Sequence, residues 1–128
     1  MGFAPDPSAP GAARRMSRRA LADWQLEVLA PVVELLVSEV VTNAVRHAGS
    51  PGQIELRVDG DVLRVEVTDA MAGRPEPRHP TPEEPSGRGL AIVETVASRW
   101  GIEPVPEGKT VWFELDLGTP ARGVPTSN

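Results

Sequence analysis

The segment Val37-Ser38-Glu39-Val40-Val41-Thr42-Asn43-Ala44-Val45-Arg46-His47-Ala48 decides how the rest of the chain is interpreted. Glu39, Asn43 and His47 follow one another at intervals of four residues, so on an α-helix they lie on adjacent turns of one side. The small apolar residues between them gather on the opposite side. The pattern predicts an amphipathic helix whose polar face carries a carboxylate, an amide and an imidazole. An ordinary solvated face gives the same pattern, so this segment alone does not establish a functional site.

The length and composition of the chain indicate one globular domain. Its 128 residues, of which 40% are hydrophobic, suffice for a single core. No apolar run approaches the roughly 20 residues that a membrane-spanning helix needs, and the first residues lack the pattern of a secretory signal. We therefore expect a cytoplasmic protein with no membrane partner.

Charge and residue counts exclude several kinds of site. The absence of cysteine rules out disulfides and thiolate metal sites, and two histidines are too few to suggest zinc. A formal charge of −5 argues against direct binding to nucleic acid, which needs a basic surface. Four arginines do cluster, at positions 14, 15, 18 and 19. They form either a solvated helix face or a contact surface for an acidic partner.

The first half of the chain predicts two helices and a hairpin. Residues 1–12 are rich in Pro, Gly and Ala and are expected to be a flexible lead-in. A first helix runs from Ala13 to about Trp24, and a second has Pro31 in its first turn and Gly49 just past its end. Alternating apolar and polar residues then predict the strands 53–58 and 63–68, joined by a tight turn, with Asp69 at the end of the second strand.

The second half predicts a long connection, one helix and another hairpin. Residues 70–86 have no periodicity and contain five prolines, which is typical of a lid over a functional site or of a linker. A third helix from Leu90 to Trp100 is followed by strands 102–105 and 111–117 and by a frayed tail, 118–128. The order of elements predicts an α+β fold, a two-layer sandwich with helices on one face of a mostly antiparallel, mixed sheet, spanning residues 13–117.

Gly87 and Gly89 stand just before the third helix and suggest an anion site. Glycines let the backbone approach a ligand, and helix N-termini attract phosphate. The dinucleotide-binding fingerprint fails because Ile92 replaces its third glycine, and Gly108-Lys109-Thr110 is not a P-loop because Glu103 replaces the first glycine of that motif. A simple helix-entry turn explains the two glycines equally well.

Taken together, these features resemble the GHKL (Bergerat) ATP-binding fold of histidine kinases, the DNA gyrase ATPase domain and a heat-shock chaperone family. The closest similarity is to anti-sigma-factor serine/threonine kinases, whose first box reads Glu-x-x-x-Asn-Ala-x-x-His-Ala, as residues 39–48 do. The second box, Asp-x-Gly-x-Gly, corresponds to residues 69–73, and the third to the Gly87-Arg88-Gly89-Leu90 turn. The Gly108-Lys109-Thr110 sequence in the closing strand is also typical of the group.

The resemblance implies a role for each matching residue. Asn43 would bind Mg²⁺, and Glu39 would be the general base that takes the proton from an attacking hydroxyl. Asp69 would accept a hydrogen bond from the adenine amino group and so exclude guanine, whose carbonyl would face the carboxylate unpaired. The remaining residues expected to bind ATP are His47, Met71, Gly73, Gly87, Arg88, Gly89, Leu90 and Thr110, the last at the adenine end of the site.

Met71 departs from the second box, because relatives have glycine there. Its side chain could narrow the pocket, weaken nucleotide binding, stack on the base or simply pack in the protein.

The function implied by the resemblance is that of an ATP- and magnesium-dependent serine/threonine kinase that regulates transcription. Such a kinase binds a sigma factor and phosphorylates an anti-anti-sigma protein of the STAS type, and relatives often form homodimers. The alternative is a regulatory module that binds nucleotide, or has lost that ability, and acts by sequestering a partner. The abundance of Ala, Pro, Gly and Arg suggests a GC-rich bacterial genome.

Overall fold

Within the part of the chain that the structure describes, five strands form one sheet in which every neighbouring pair is antiparallel. The computed structural model describes residues 1–49, 51–69, 85–106 and 108–118. Its elements in chain order are β1 (Gly2–Phe3), α1 (Ala9–Asp23), a short 3₁₀ turn (Glu27–Leu29), α2 (Ala30–Ala48), β2 (Gly52–Asp59), β3 (Val62–Asp69), α3 (Pro85–Val96), β4 (Arg99–Val105) and β5 (Gly108–Asp116). The strand order is β1-β2-β3-β5-β4, which confirms the expected α+β class.

Helix α2 has the boundaries that its sequence predicts. Pro31 lies in its first turn, where the missing N–H would have had no acceptor. Gly49 follows its last residue with φ of 64°, the left-handed conformation that glycine adopts without a steric penalty. The apolar side of the helix is buried, with Val33, Leu36 and Val37 at 0% exposure.

The same helix corrects one sequence expectation. The segment Glu27–Arg46 has the length and the mean hydropathy, 1.7, of a helix that could cross a membrane, whereas no such run was expected. Burial explains the composition, because the helix lies against β3 and between α1 and α3 in the core of the domain. The core helix of a globular domain has the same overall hydropathy as a spanning segment.

The two faces of the sheet differ in chemistry because strand side chains alternate. Leu63, Val65 and Val67 of β3 face the helices, and Val111 and Phe113 of β5 lie opposite two of them. The other face is polar and charged. There the guanidinium of Arg64 lies 4.3 Å from the ring centroid of Trp112 and donates to Glu66 and Glu114. The described helices therefore pack against one face of the sheet.

The N-terminal residues differ from the predicted flexible lead-in. Residues 2 and 3 form β1, which pairs with Gly52 and Gln53, and Phe3 is buried. A Cβ atom at position 52 would lie 2.6 Å from the Phe3 ring, so the glycine leaves room for that side chain. Helix α1 begins at Ala9 instead of Ala13, because a proline is tolerated in a first helical turn. The amino-acid composition of this segment indicates neither the pairing of β1 with β2 nor the earlier start of α1.

The end of α3 also differs from the prediction. The helix ends at Val96, and Trp100 belongs to β4, where it pairs with Phe113. Pairing with β5 begins earlier than expected, since Ser98 donates its N–H to the carbonyl of Glu114 at 2.8 Å. The predicted lid, apart from its last two residues, and the tail beyond Gly118 lie outside the described residues.

Candidate functional site

The polar face of α2 presents a buried amide. Asn43 is 7% exposed, and its Oδ1 atom has no hydrogen-bond partner within the described part of the chain. An unsatisfied buried acceptor is costly and uncommon, so it marks a position where a donor or a cation would be stabilising. Glu39 lies one turn earlier on the same helix and is half-buried. The first box thus places an acceptor and a carboxylate on one side of α2, as the sequence predicts.

Asp69 is the last residue of β3 and forms a buried ion pair. Its side chain is 2% exposed, and Lys109 Nζ lies 2.6 Å from its Oδ2 atom. Asp69 and Lys109 are direct cross-strand partners of β3 and β5, so both side chains point to the helix-covered face of the sheet. A buried carboxylate requires such a partner, because desolvation would otherwise disfavour its ionised form.

The pairing of β3 with β5 fixes the position of Thr110, which is expected at the adenine end of the site. In the register of β3 with β5 it lies opposite Thr68, on the face of the sheet away from Asp69. The hydroxyl oxygens of Thr68 and Thr110 are 2.8 Å apart and share a hydrogen bond. The side chains of Thr110 and Asp69 therefore lie on opposite faces of the sheet, and contact of Thr110 with the adenine end of the site stays a prediction. The reason is the two-residue period of the strand, which turns adjacent side chains to opposite faces.

Lys109 is the site residue that sequence reasoning missed. It has the same parity as Val111, Phe113 and Leu115, all of which are buried against the helices. Counting back by twos from that apolar series would have placed Lys109, and not Thr110, on the core face. The β5 side chain that lies beside Asp69 is therefore the ammonium group of Lys109, carried on a flexible aliphatic chain.

The glycine turn lies within α3 instead of before it. The helix begins at Pro85, so Gly87 is in its first turn and Gly89 is beyond that turn. Only the N–H groups of the first turn lack intrahelical acceptors. Gly87 thus keeps the expected position for an anion, whereas the backbone N–H of Gly89 is inside the helical ladder. The roles of the Arg88 and Leu90 side chains stay predictions.

Three further predicted residues are not placed by the structure. The side chain of His47 lies outside the described part of α2, although the residue belongs to that helix. Met71 and Gly73 lie outside the described residues altogether. Their contribution to nucleotide binding stays a prediction.

The arginine cluster of α1 divides into two pairs. Arg14 donates to Ser38 Oγ at 3.0 Å, and Arg18 donates to both carboxylate oxygens of Glu34 at 2.9 Å. These contacts join α1 to α2, and the bond from Arg18 lowers the pKa of the Glu34 carboxyl below its ordinary value. Arg15 and Arg19 are exposed. Half of the cluster therefore joins α1 to α2, and contact of the exposed half with an acidic partner stays a prediction.

Comparison with known proteins identifies the family. The sequence profile of the histidine kinase-like ATPase domain matches residues 3–115. An uncharacterized protein of Streptomyces coelicolor is 32% identical over an alignment of 102 residues, and the match covers 66% of this chain and 92% of that protein. The histidine kinase domain of the blue-light activated histidine kinase from Erythrobacter litoralis is 31% identical, with a TM-score of 0.49. That match covers 69% of this chain and 44% of the other.

The profile covers every described strand and helix apart from Gly2 at the start of β1 and Asp116 at the end of β5. It includes Asn43 and Asp69, the two buried polar residues that the sequence boxes predict. The chain belongs to the family of histidine kinase-like ATPase domains.

Proposed function

We propose that the protein binds ATP with Mg²⁺ in the cytoplasm and acts as a serine/threonine kinase of the anti-sigma-factor type. In this proposal it binds a sigma factor and phosphorylates an anti-anti-sigma protein. The single observation that carries nucleotide binding is the buried Oδ1 atom of Asn43, which has no hydrogen-bond partner among the described residues. A family membership that implies ATP binding supports the same assignment.

The donor set around Asn43 suits magnesium. Mg²⁺ prefers oxygen ligands and keeps several waters, so one amide oxygen together with substrate phosphates is a typical site. Among the described residues no group of three or more His, Asp or Glu side chains could hold a metal by itself. The bound ion would neutralise charge on the triphosphate.

Glu39 would act as the base. It is half-buried and makes no hydrogen bond or ion pair within the described residues, so its carboxylate is available to accept a proton. The serine hydroxyl oxygen of the partner would bond to the γ-phosphorus while the bond from that phosphorus to the bridging oxygen breaks and ADP leaves. Glu39 would take the hydroxyl proton during this transfer.

A second candidate is a module that binds nucleotide or partner without catalysis. Two features favour it. Asp69, the expected adenine acceptor, is already paired with Lys109 at 2.6 Å, and Met71 adds a side chain where relatives have glycine. In this case the chain would act by holding a partner, and Glu39 would have no chemical role.

Thermal unfolding in the presence of ATP and Mg²⁺ tests nucleotide binding. A ligand at 100 times its Kd stabilises the native state by about 2.7 kcal/mol, so the melting temperature should rise by several degrees. Asn43→Ala should remove most of this rise. Gln53→Ala removes an exposed amide on β2 and is the matched control. An unchanged melting temperature of the parent protein at millimolar ATP would overturn the proposal.

Phosphate transfer distinguishes the two candidates. The parent protein is incubated with γ-labelled ATP, Mg²⁺ and purified STAS-type proteins, and label on serine or threonine is measured. Glu39→Gln should abolish transfer while the ATP-dependent rise in melting temperature survives, and Glu55→Gln, an exposed glutamate on β2, should change neither. ATP binding by the parent without transfer to any such protein would leave the non-catalytic module.

A further inference from the structure

The carboxylate and the ammonium of the Asp69–Lys109 pair form a hydrogen-bond acceptor directly beside a hydrogen-bond donor. Lys109 Nζ and Asp69 Oδ2 are 2.6 Å apart on the helix-covered face of the sheet. Asp69 is 2% exposed and Lys109 is 14% exposed, so the lysine is the more accessible member of the pair. A ligand edge that approaches Asp69 therefore meets both groups and not a lone carboxylate.

The Watson–Crick edge of a purine carries the complementary pattern. In adenine the 6-amino group donates and N1 accepts; in a 6-oxopurine the N1–H donates and O6 accepts. Each edge presents one donor beside one acceptor, but in opposite order. Adenine pairs through N6–H with the carboxylate and through N1 with the ammonium, whereas a 6-oxopurine, with its ring displaced, pairs through N1–H with the carboxylate and through O6 with the ammonium. A lone aspartate would discriminate against the 6-oxopurine, whose carbonyl would lie unpaired against a negative charge. In the displaced position an N–H of Lys109 donates to O6, so the carbonyl has a donor and does not lie unpaired against the carboxylate.

We propose that Lys109 is a specificity-determining residue and that the site accepts 6-oxopurine triphosphates as well as ATP. The inference rests on the proposed nucleotide site and deepens it. It reverses the expectation, drawn from Asp69 alone, that a guanine-type base is excluded. Inosine triphosphate is the sharpest probe, because it carries the 6-oxo group without the additional 2-amino group of guanine.

Relative affinities measure the effect. Kd values for ATP and ITP with Mg²⁺ are determined by calorimetry for the parent protein, Lys109→Met and Lys109→Arg. The parent should bind ITP within about tenfold of ATP. Lys109→Met removes one hydrogen bond from each nucleotide, but in ITP it also leaves the O6 carbonyl beside the Asp69 carboxylate without a donor, so ITP should weaken relative to ATP by roughly tenfold or more. Lys109→Arg, which keeps a donor, should retain most of the ITP binding.

A matched control separates local recognition from net charge. Arg19→Thr removes one positive charge from the exposed face of α1 and should leave the ratio of the two Kd values unchanged. GTP serves as a third ligand. If GTP binds much more weakly than ITP to every variant, the shape of the site excludes the 2-amino group. Recognition of the 6-oxo group by Lys109 is then still supported by ITP.

A direct readout uses the fact that Lys109 is the only lysine of the chain. Reductive methylation with ¹³C-formaldehyde labels its ε-amine and the α-amine of Met1, which donates to the carbonyl of Ile54 far from Asp69 in sequence. Nucleotide should protect Lys109 from methylation and leave Met1 as reactive as before. This measurement uses the parent protein, so it tests the proposal even if Lys109→Met does not fold.

The outcomes are distinct. Discrimination against ITP by more than about 100-fold in the parent, or an ATP-to-ITP ratio that Lys109→Met leaves unchanged, would overturn the role of Lys109 and leave ATP binding intact. Unprotected Lys109 in the presence of saturating nucleotide would do the same. Failure of every nucleotide to bind would overturn the proposed function together with this inference.

Discussion

Lys109→Met is expected to destabilise the domain, because it removes the cation 2.6 Å from a carboxylate that is 2% exposed. Deleting one partner of a buried ion pair typically costs about 3–5 kcal/mol, since the remaining charge stays desolvated. Lys109 retains 14% exposure, which places the expectation near the lower limit, about 3 kcal/mol. For a domain of this size that corresponds to a fall of roughly 10 °C in melting temperature.

Urea unfolding at pH 7, followed by far-UV circular dichroism, measures this loss. The double variant Asp69→Asn/Lys109→Met should regain much of the stability, because neither charge is then buried alone. Arg57→Met is the control, since Arg57 and its partner Asp59 are 45% and 68% exposed and such pairs contribute about 0–1 kcal/mol. A loss for Lys109→Met no larger than that of Arg57→Met, or a double variant less stable than the single one, would refute the reasoning.

Three further variants test the rest of the fold. Gly101→Ala should lower the free energy of unfolding in urea by about 1–3 kcal/mol, because the added Cβ would lie 2.8 Å from the Trp112 ring. Gly2→Ala should lower it less, because its Cβ would meet only a backbone oxygen, at 3.8 Å. Phe113→Ala should cost about 3–5 kcal/mol by the same assay, because the side chain is 0% exposed in the core. Hydrogen bonds from Arg99 and Arg64 lower the pKa of Glu114 below its ordinary value of 4.5. The ionised Glu114 therefore contributes fully to the stability of the fold above pH 4.5, and this contribution is lost as the pH falls through the lowered pKa. Glu114→Gln should therefore flatten the dependence of urea midpoints on pH below about 4.5.

Much of the fold is present in local sequence patterns. The apolar stripe of α2, its early proline and Gly49 define a helix without reference to any other element, and alternation defines β2 and β3. The position of Asp69 at the end of β3 follows directly from that alternation. Asn43 follows from the four-residue interval on α2. These residues were predictable because each pattern arises within one segment.

The remainder depends on pairing between distant segments. Strand β1 exists because Phe3 packs over Gly52, and Trp100 joins β4 because β5 offers Phe113 as its partner. Neither contact produces a periodic pattern in the sequence around these residues. The position of Lys109 beside Asp69 could have been predicted from the sequence, because it required only the parity of an apolar series, but motif similarity pointed to Thr110.

The shortness of β1 has a consequence for self-association. Beyond Ile54, no described strand pairs with the outer side of β2, so the main-chain groups of residues 55–59 form an open rim. The unpaired N–H and C=O groups of such a rim can pair with a strand from another molecule, which is the first step toward aggregation. Glu55, Arg57 and Asp59 stand along this rim and are exposed. Their charges act as gatekeepers against intermolecular strand addition, and neutral β-branched residues there would turn the domain toward fibril-like assembly.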